Sequence, residues 1–298
     1  MDLIATAPRL PRAGESLLGA NFIAIPGGKA GNQAVAAARH CAQTAIVARV
    51  GNDAFGDELR QALDRKGVSV GLLQTDENEA TGVSPVLMGA DGEYSSIIVP
   101  GASKTMTVAR LALAHAAVRT CAVVLLQFEI GVESSAAAAQ LASQSGARVI
   151  LNASPAPLLR EAMTGTIWRH VHAVIVNHHE AQVLTGERSD QPEDGMQLAI
   201  RLRRRLDVPV VIVTLGRDGT VCAGVSAGLR VPGHVVPVVD TIGAGDAFAG
   251  AIAAALARGD EMERAVVIGN AVGALAVGRR GAHDASPTLA ETLAFLGE

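Results

Sequence analysis

Aromatic side chains are nearly absent: five Phe, one Tyr and one Trp in 298 residues. That scarcity disfavours a ligand held by base stacking. It leaves the core to Ala, Val, Leu and Ile, which with 32 glycines suit Ala-rich helices packed closely on buried strands. An excess of basic charge is lacking too. The formal net charge of −4 argues against a nucleic-acid or anionic-membrane partner, and the one basic run, Arg201 with Arg203, Arg204 and Arg205, reads as a solvated helix face. Cys41, Cys121 and Cys222 stand far apart in no metal-ligand spacing, which points to reduced thiols in a cytoplasmic protein. No stretch approaches the ~20 apolar residues that span a bilayer, and the opening MDLIATAPRLPRAGE has no signal-peptide pattern.

What the chain does have is alternation. Short apolar runs at Ala45–Val50, Ala122–Gln127, Val149–Asn152, Ala173–Asn177 and Val210–Leu215 read as strands covered on both faces. Helical patterns separate them: Phe55, Leu59 and Leu63 form one stripe ended by Gly67, and further helices are predicted near Val132–Ser145, Glu180–Leu184, Met196–Leu206, Gly245–Arg258 and Ala265–Val277. The expectation is a single α/β domain over residues 1–298 with a mostly parallel central sheet. One segment departs from it. Ser84–Met88 and Tyr94–Val99, joined by Gly89-Ala90-Asp91-Gly92-Glu93, predict a hairpin. Pairing with a strand near Ser16–Ile25 would give a small protruding lid sheet, drawn from about residues 14–26 and 82–100. Such a flap is placed to cover a site at the carboxyl ends of the strands.

Three segments carry candidate chemistry. In Val239-Asp240-Thr241-Ile242-Gly243-Ala244-Gly245-Asp246-Ala247-Phe248, small residues lead into a helix, so backbone N–H groups can converge on an anion at the positive end of the helix dipole. Asp246 in the first turn is a candidate proton acceptor for an attacking hydroxyl. The plain alternative is a helix-start Asp behind a Gly-rich loop. Gly27-Gly28-Lys29-Ala30-Gly31-Asn32-Gln33-Ala34 repeats the pattern but is no P-loop, because Ile23 stands where the first Gly is required. A tight turn for close packing explains it equally well. In Asn177-His178-His179-Glu180, Asn and Glu suit outer-shell Mg²⁺ binding or a helix-capping pair. His170 and His172 lie roughly 20 Å of strand from His178 and His179, too far for one ion. Glu129 and Asp2 read as substrate-binding or solvated acids, and Asp53 as a helix cap.

Together and in this order, the segments resemble the PfkB (ribokinase-like) carbohydrate kinase family, and within it most nearly the ribokinase branch. The matching stretches span the chain: Gly27–Ala34, Gly51–Gly56, Thr81–Val83, Pro100–Ala102, Asn152–Ala156, Asn177–Glu180, Thr214–Gly216, Asp240–Phe248 and Gly278–Ala282. The resemblance implies a three-layer αβα fold with a β lid, and ATP-dependent phosphorylation of a sugar's primary hydroxyl, with ribose as acceptor. It implies Asp246 as catalytic base and an anion hole from Gly243, Ala244, Gly245 and Asp246. Sugar binding falls to Asp2, Gly28, Asn32, Glu129 and Asp240. Nucleotide and Mg²⁺ fall to Asn177, Glu180, Thr214, Gly216 and Asn270. K⁺ would sit near Asp240, Ile242, Ala276, Arg279 and Gly281, and a homodimer would form through the lid.

There are departures from the family pattern. No strand carrying a sugar-binding Asn precedes Asp2, Ala30-Gly31 inverts the usual order, Ser103 replaces a common Asn, and Ala285 replaces a cation-binding Ser. Two other readings therefore stand beside ribose: another acceptor such as deoxyribose, fructose or pseudouridine, and a sugar- or nucleotide-binding protein without catalysis.

Overall fold

The structure, a computed structural model, describes residues 1–90, 93–155, 158, 162–163, 165–186, 195–225 and 228–298. Strands β1 (Asp2–Ala7) and β2 (Asn21–Ile25) lead into helix α1 (Lys29–Arg39). Next come β3 (Thr44–Ala45), β4 (Ala48–Gly51), α2 (Ala54–Arg65), β5 (Val68–Ser69), β6 (Leu73–Asp76), β7 (Ser84–Gly89) and β8 (Tyr94–Ser96). The second half carries β9 (Val123–Leu126), α3 (Val132–Gln144), β10 (Arg148–Asn152), β11 (Ala173–Asn177), α4 (His178–Thr185) and α5 (Gly195–Leu206). It closes with β12 (Val210–Thr214), β13 (Thr220–Ala223), β14 (Leu229–Val231), α6 (Ala244–Arg258), α7 (Met262–Ala276) and α8 (Leu289–Leu296). No helix among the described residues is long and apolar enough to cross a membrane.

The main sheet runs β14-β13-β12-β11-β10-β9, with β9 to β12 parallel and β13 and β14 antiparallel. Successive side chains divide between two cores, as strands buried on both faces require. Val149, Leu151, Val174, Val176, Val211 and Val213 pack with α3, α4 and α5. Ile150, Ala173, Ile175 and Ile212 pack against Ala-rich α6 and α7. That is a helix–sheet–helix sandwich. Alanine makes the second helix layer thin enough to approach closely: a Cβ at Gly250 of α6 would collide with the Gln33 carbonyl of α1.

The lid is a separate sheet in the order β2-β1-β7-β8. The hairpin is present, though its second strand ends at Ser96 and is continued by a Val83–Val99 bridge, and turn residues 91 and 92 lie outside the described residues, as does Ala156. The expected pairing is corrected in one respect: β1 lies between β2 and β7, antiparallel to the first and parallel to the second. The lid strand expected over Ser16–Ile25 is only Asn21–Ile25. The predicted strand Ala45–Val50 is also two strands, because Thr44–Ala45 pairs with Val68–Ser69 whereas Ala48–Gly51 pairs with Leu73–Asp76. Along the lid, Ile4 and Val86 are buried on one face, while Phe22, opposite Ala5, and Leu87, on its other side, are exposed on the opposite face (62 % and 43 %).

Candidate active site

Polar residues stand at the carboxyl ends of four neighbouring strands. Gln127 follows β9, Asn152 ends β10, and Asn177 and Thr214 end β11 and β12, where they are register partners. Open α/β sheets collect ligands at this rim. Facing it is the start of α6. Gly243 takes φ +77° as its N-cap, and a Cβ there would lie 2.8 Å from that of Ala282. Only glycine is unstrained at this turn. Above Gly245 nothing lies within 4 Å of a would-be Cβ. The first turn of a helix cannot use its own N–H groups: Ala244 N donates weakly to Thr241 O at 3.4 Å, and those of Gly245 and Asp246 precede the first α6 ladder bond, from Ala247 N to Gly243 O. An open, donor-lined socket results.

Beside the socket is a cleft of about 130 Å³ lined by Lys29, Asn152, Asn177, Glu180, Thr214 and Asp246, with Gly243 and Gly245 at its rim. Asp246 is buried (7 % exposed), and its carboxylate is held from α1: Asn32 Nδ2 donates to Oδ2 at 2.8 Å and Gln33 Nε2 to Oδ1 at 2.9 Å. The carboxylate of Asp246 raises the pKa of the Lys29 ammonium above its ordinary value, more than burial lowers it. A cation and a carboxylate thus share one wall, where they can divide the work of steadying negative charge and accepting a proton.

Most of the remaining expected residues fall into two groups. Asp2, Gly28, Asn32 and Glu129 gather where the lid joins α1. The Asp2 carboxylate abuts Gly27, Gly28 turns at φ +86°, and Glu129 Oε2 accepts the Lys29 backbone N–H at 3.0 Å. Burial raises both carboxyls, Asp2 and Glu129, above their usual range. Asp240 sits below the socket and gathers two loops, since its Oδ1 accepts Ile242 N at 3.0 Å and its Oδ2 accepts Gly281 N at 3.3 Å. Ala276 ends α7 and its carbonyl accepts Arg279 N, whereas the Arg279 side chain turns away to Glu291.

Two residues stand apart from the cleft. Gly216 begins an exposed turn at φ +59°. The Asn270 amide is engaged within the protein, accepting from Thr220 Oγ1 at 3.1 Å and donating to Pro232 O at 2.9 Å. Asn177 and Glu180 form the capping pair: Glu180 N donates to Asn177 Oδ1 at 2.8 Å, and Asn177 N to Glu180 Oε2 at 2.9 Å. Both still line the cleft. Lys29, Gln33, Gln127 and Asn152 were not singled out by sequence. Lys29 and Gln33 lay inside the Gly27–Ala34 motif, of which only Gly28 and Asn32 were given roles; Asn152 lay in the matching stretch Asn152–Ala156, and it and Gln127 obey the strand-end rule. Among the described residues no group of three or more His, Cys, Asp or Glu could hold a metal ion alone.

A profile of the pfkB family carbohydrate kinases matches residues 1–289. Ribokinase of Bacillus subtilis is 33 % identical over 97 % of this chain and 93 % of its own length. Deoxyribokinase of Salmonella typhi is 29 % identical over 99 % of this chain and 95 % of its own. The structure of Arabidopsis thaliana ribokinase complexed with ribose and ATP superposes with a TM-score of 0.87 at 30 % identity, covering 100 % of this chain and 96 % of that one.

Proposed function

The chain belongs to the pfkB family of carbohydrate kinases, and we propose that it transfers the γ-phosphoryl group of ATP to the primary (5-) hydroxyl of ribose. One observation carries the reading: a buried carboxylate, Asp246, stands at the mouth of a helix-start socket and is gripped by two amides. A carboxylate beside an anion socket repels the bound phosphate unless it has a proton to accept. Asp246 takes that proton from the sugar hydroxyl as the oxygen attacks phosphorus. The N–H groups at Gly243–Asp246 and the Lys29 ammonium steady the charge on the transferring group.

Buried acceptors support a ligand rich in hydroxyls. Asn32 Oδ1 and Asn152 Oδ1 are both enclosed and without a hydrogen-bond partner, a costly state that a donor from the sugar or its waters relieves. Asp2, Gly28, Glu129 and Asp240 complete the sugar side, and Thr214 and Gly216 the nucleotide side, with the Asn270 amide engaged by Thr220 and Pro232 instead. Asn177 and Glu180 suit an outer-shell Mg²⁺, because the capping pair engages only Oε2 of Glu180. Bound there with the nucleotide, the ion neutralises phosphate charge. K⁺ would be held at the turn gathered by Asp240, through backbone carbonyls near Ile242, Ala276, Arg279 and Gly281, and would supply positive charge beside the socket. Just past Ala285, the buried Ser286 Oγ lacks a partner. A homodimer through the lid is supported by the exposed Phe22 and Leu87.

The test is ADP release with ribose, deoxyribose, fructose and pseudouridine, with and without K⁺. Turnover on ribose is expected. A second reading, deoxyribose as acceptor, is favoured by the similar identity to the Salmonella typhi deoxyribokinase, and turnover confined to deoxyribose would establish it. A folded protein that binds sugar and ATP yet releases no ADP would overturn both.

A further inference from the structure

Gln33 is almost fully enclosed, at 1 % exposure, and is absent from the cleft wall. It therefore reaches the chemistry only through Asp246, whose Oδ1 takes its Nε2 proton at 2.9 Å. Behind it stands a second amide that also does not line the cleft: Gln127 Nε2 donates to Gln33 Oε1, and Gln127 is itself 8 % exposed. The Gln127 carbonyl in turn accepts Ser135 Oγ, from the first turn of α3, at 2.7 Å. A chain of hydrogen bonds thus runs from α3 past the end of β9 and through α1 to the carboxylate on α6.

We infer that Gln33 is a positioning residue for Asp246, kept in its donating orientation with the help of Gln127. A glutamine amide can sit in two orientations that differ by a half-turn. Turned the other way, Gln33 would aim Oε1 at the carboxylate and its NH₂ at the NH₂ of Gln127, which sets acceptor against acceptor and donor against donor. The carboxylate, which can only accept, excludes that orientation, and Gln127, turned to donate to Oε1, adds to the penalty. With Gln33 on Oδ1 and Asn32 on Oδ2, neither oxygen of Asp246 can swing, and each keeps lone-pair capacity for the incoming proton. The inference rests on Asp246 being the base, and its consequence is a division of labour. Asn32 serves both sugar and carboxylate, whereas Gln33 serves the carboxylate alone, so its loss appears in kcat and not in sugar binding.

The experiment compares Gln33→Leu, Gln33→Glu, Gln127→Leu and the Gln33→Leu/Gln127→Leu double variant, with Asp246→Asn as control. Turnover is read by ADP release at saturating MgATP, ribose affinity by calorimetry and folding by thermal melting. Gln33→Leu is expected to lower kcat about 10- to 100-fold, the scale of a misplaced reacting group, with the ribose dissociation constant changed by less than about twofold. Gln127→Leu is expected to cost less, and the double variant no more than Gln33→Leu, since the second amide acts through the first. Losses that multiply would overturn the inference, as would a normal kcat or a defect confined to KM. Should Gln33→Leu not fold, Gln33→Glu keeps the shape. Its turnover is expected to fall further as pH rises and the new carboxyl ionises against Asp246, and a pH profile like that of the parent would count against the inference. If Asp246→Asn itself turns over, the base assignment fails; if only the Gln33 variants do, the positioning role alone fails.

Discussion

Asn32 and Asp246, 214 positions apart in the chain, share a hydrogen bond of 2.8 Å between Nδ2 and Oδ2. The contact joins the two glycine-led helix starts of the molecule into one site. Asp246→Asn removes the proton acceptor while keeping the shape of the side chain. A loss of turnover of about 10²- to 10⁴-fold is expected, with ribose binding retained in calorimetry. Near-parental turnover would exclude Asp246 as base.

Gly245 and Gly243 separate function from folding. Gly245 has an ordinary helical conformation and open space above it, so Gly245→Ala is expected to fold at least as well as the parent, gaining about 0.4–1 kcal/mol through the unfolded chain. Its methyl group enters the socket, and turnover should fall sharply. Gly243→Ala meets both a positive φ and Ala282, so its melting temperature should drop as well. Undiminished turnover in Gly245→Ala would place the anion elsewhere.

His283 predicts an acid-side weakness. Burial pushes its imidazole down to about 4 from 6.5, and neither ring nitrogen has a hydrogen-bond partner. Between those values the unfolded chain holds a proton that the folded protein does not, so stability present above about pH 6.5 is lost as pH falls towards 4. The full shift corresponds to on the order of 3 kcal/mol. Urea midpoints measured across this window should slope less steeply in His283→Gln. Identical slopes in variant and parent would remove His283 from the account.

The exposed lid face gives a test of assembly. Phe22→Ser with Leu87→Ser keeps the buried face of Ile4 and Val86 intact. Light scattering is expected to find the parent dimeric and the double variant monomeric, each at the same helical content. A parent that is monomeric at micromolar concentration would refute the lid dimer.

Much of the fold was legible because the strands of the main sheet are buried on both faces, which writes them as unbroken runs such as Val149–Asn152 and Ala173–Asn177. Where partner choice decides, the sequence is silent. Nothing local divides Ala45–Val50 into two strands with different neighbours, or places β1 at the centre of the lid. Asp246 and its glycines were readable from helix-start chemistry. The face carrying Lys29, Asn32 and Gln33 follows helical spacing, yet its target was hidden, since only packing across Gly250 brings it to α6. Asn270 illustrates the reverse: a side chain expected at the nucleotide is occupied by Thr220 and Pro232.

The lid and the first catalytic helix are almost contiguous: β2 ends at Ile25 and α1 begins at Lys29. Only Pro26, Gly27 and Gly28 lie between them, and Gly27 is pressed against Asp2 at the head of β1. Lys29, Asn32 and Gln33 lie on the first turn and a half of that helix, and Asn32 and Gln33 hold the Asp246 carboxylate. On the proposed reading, a contact made on the lid is therefore separated by only three residues from the helix whose Asn32 and Gln33 hold Asp246.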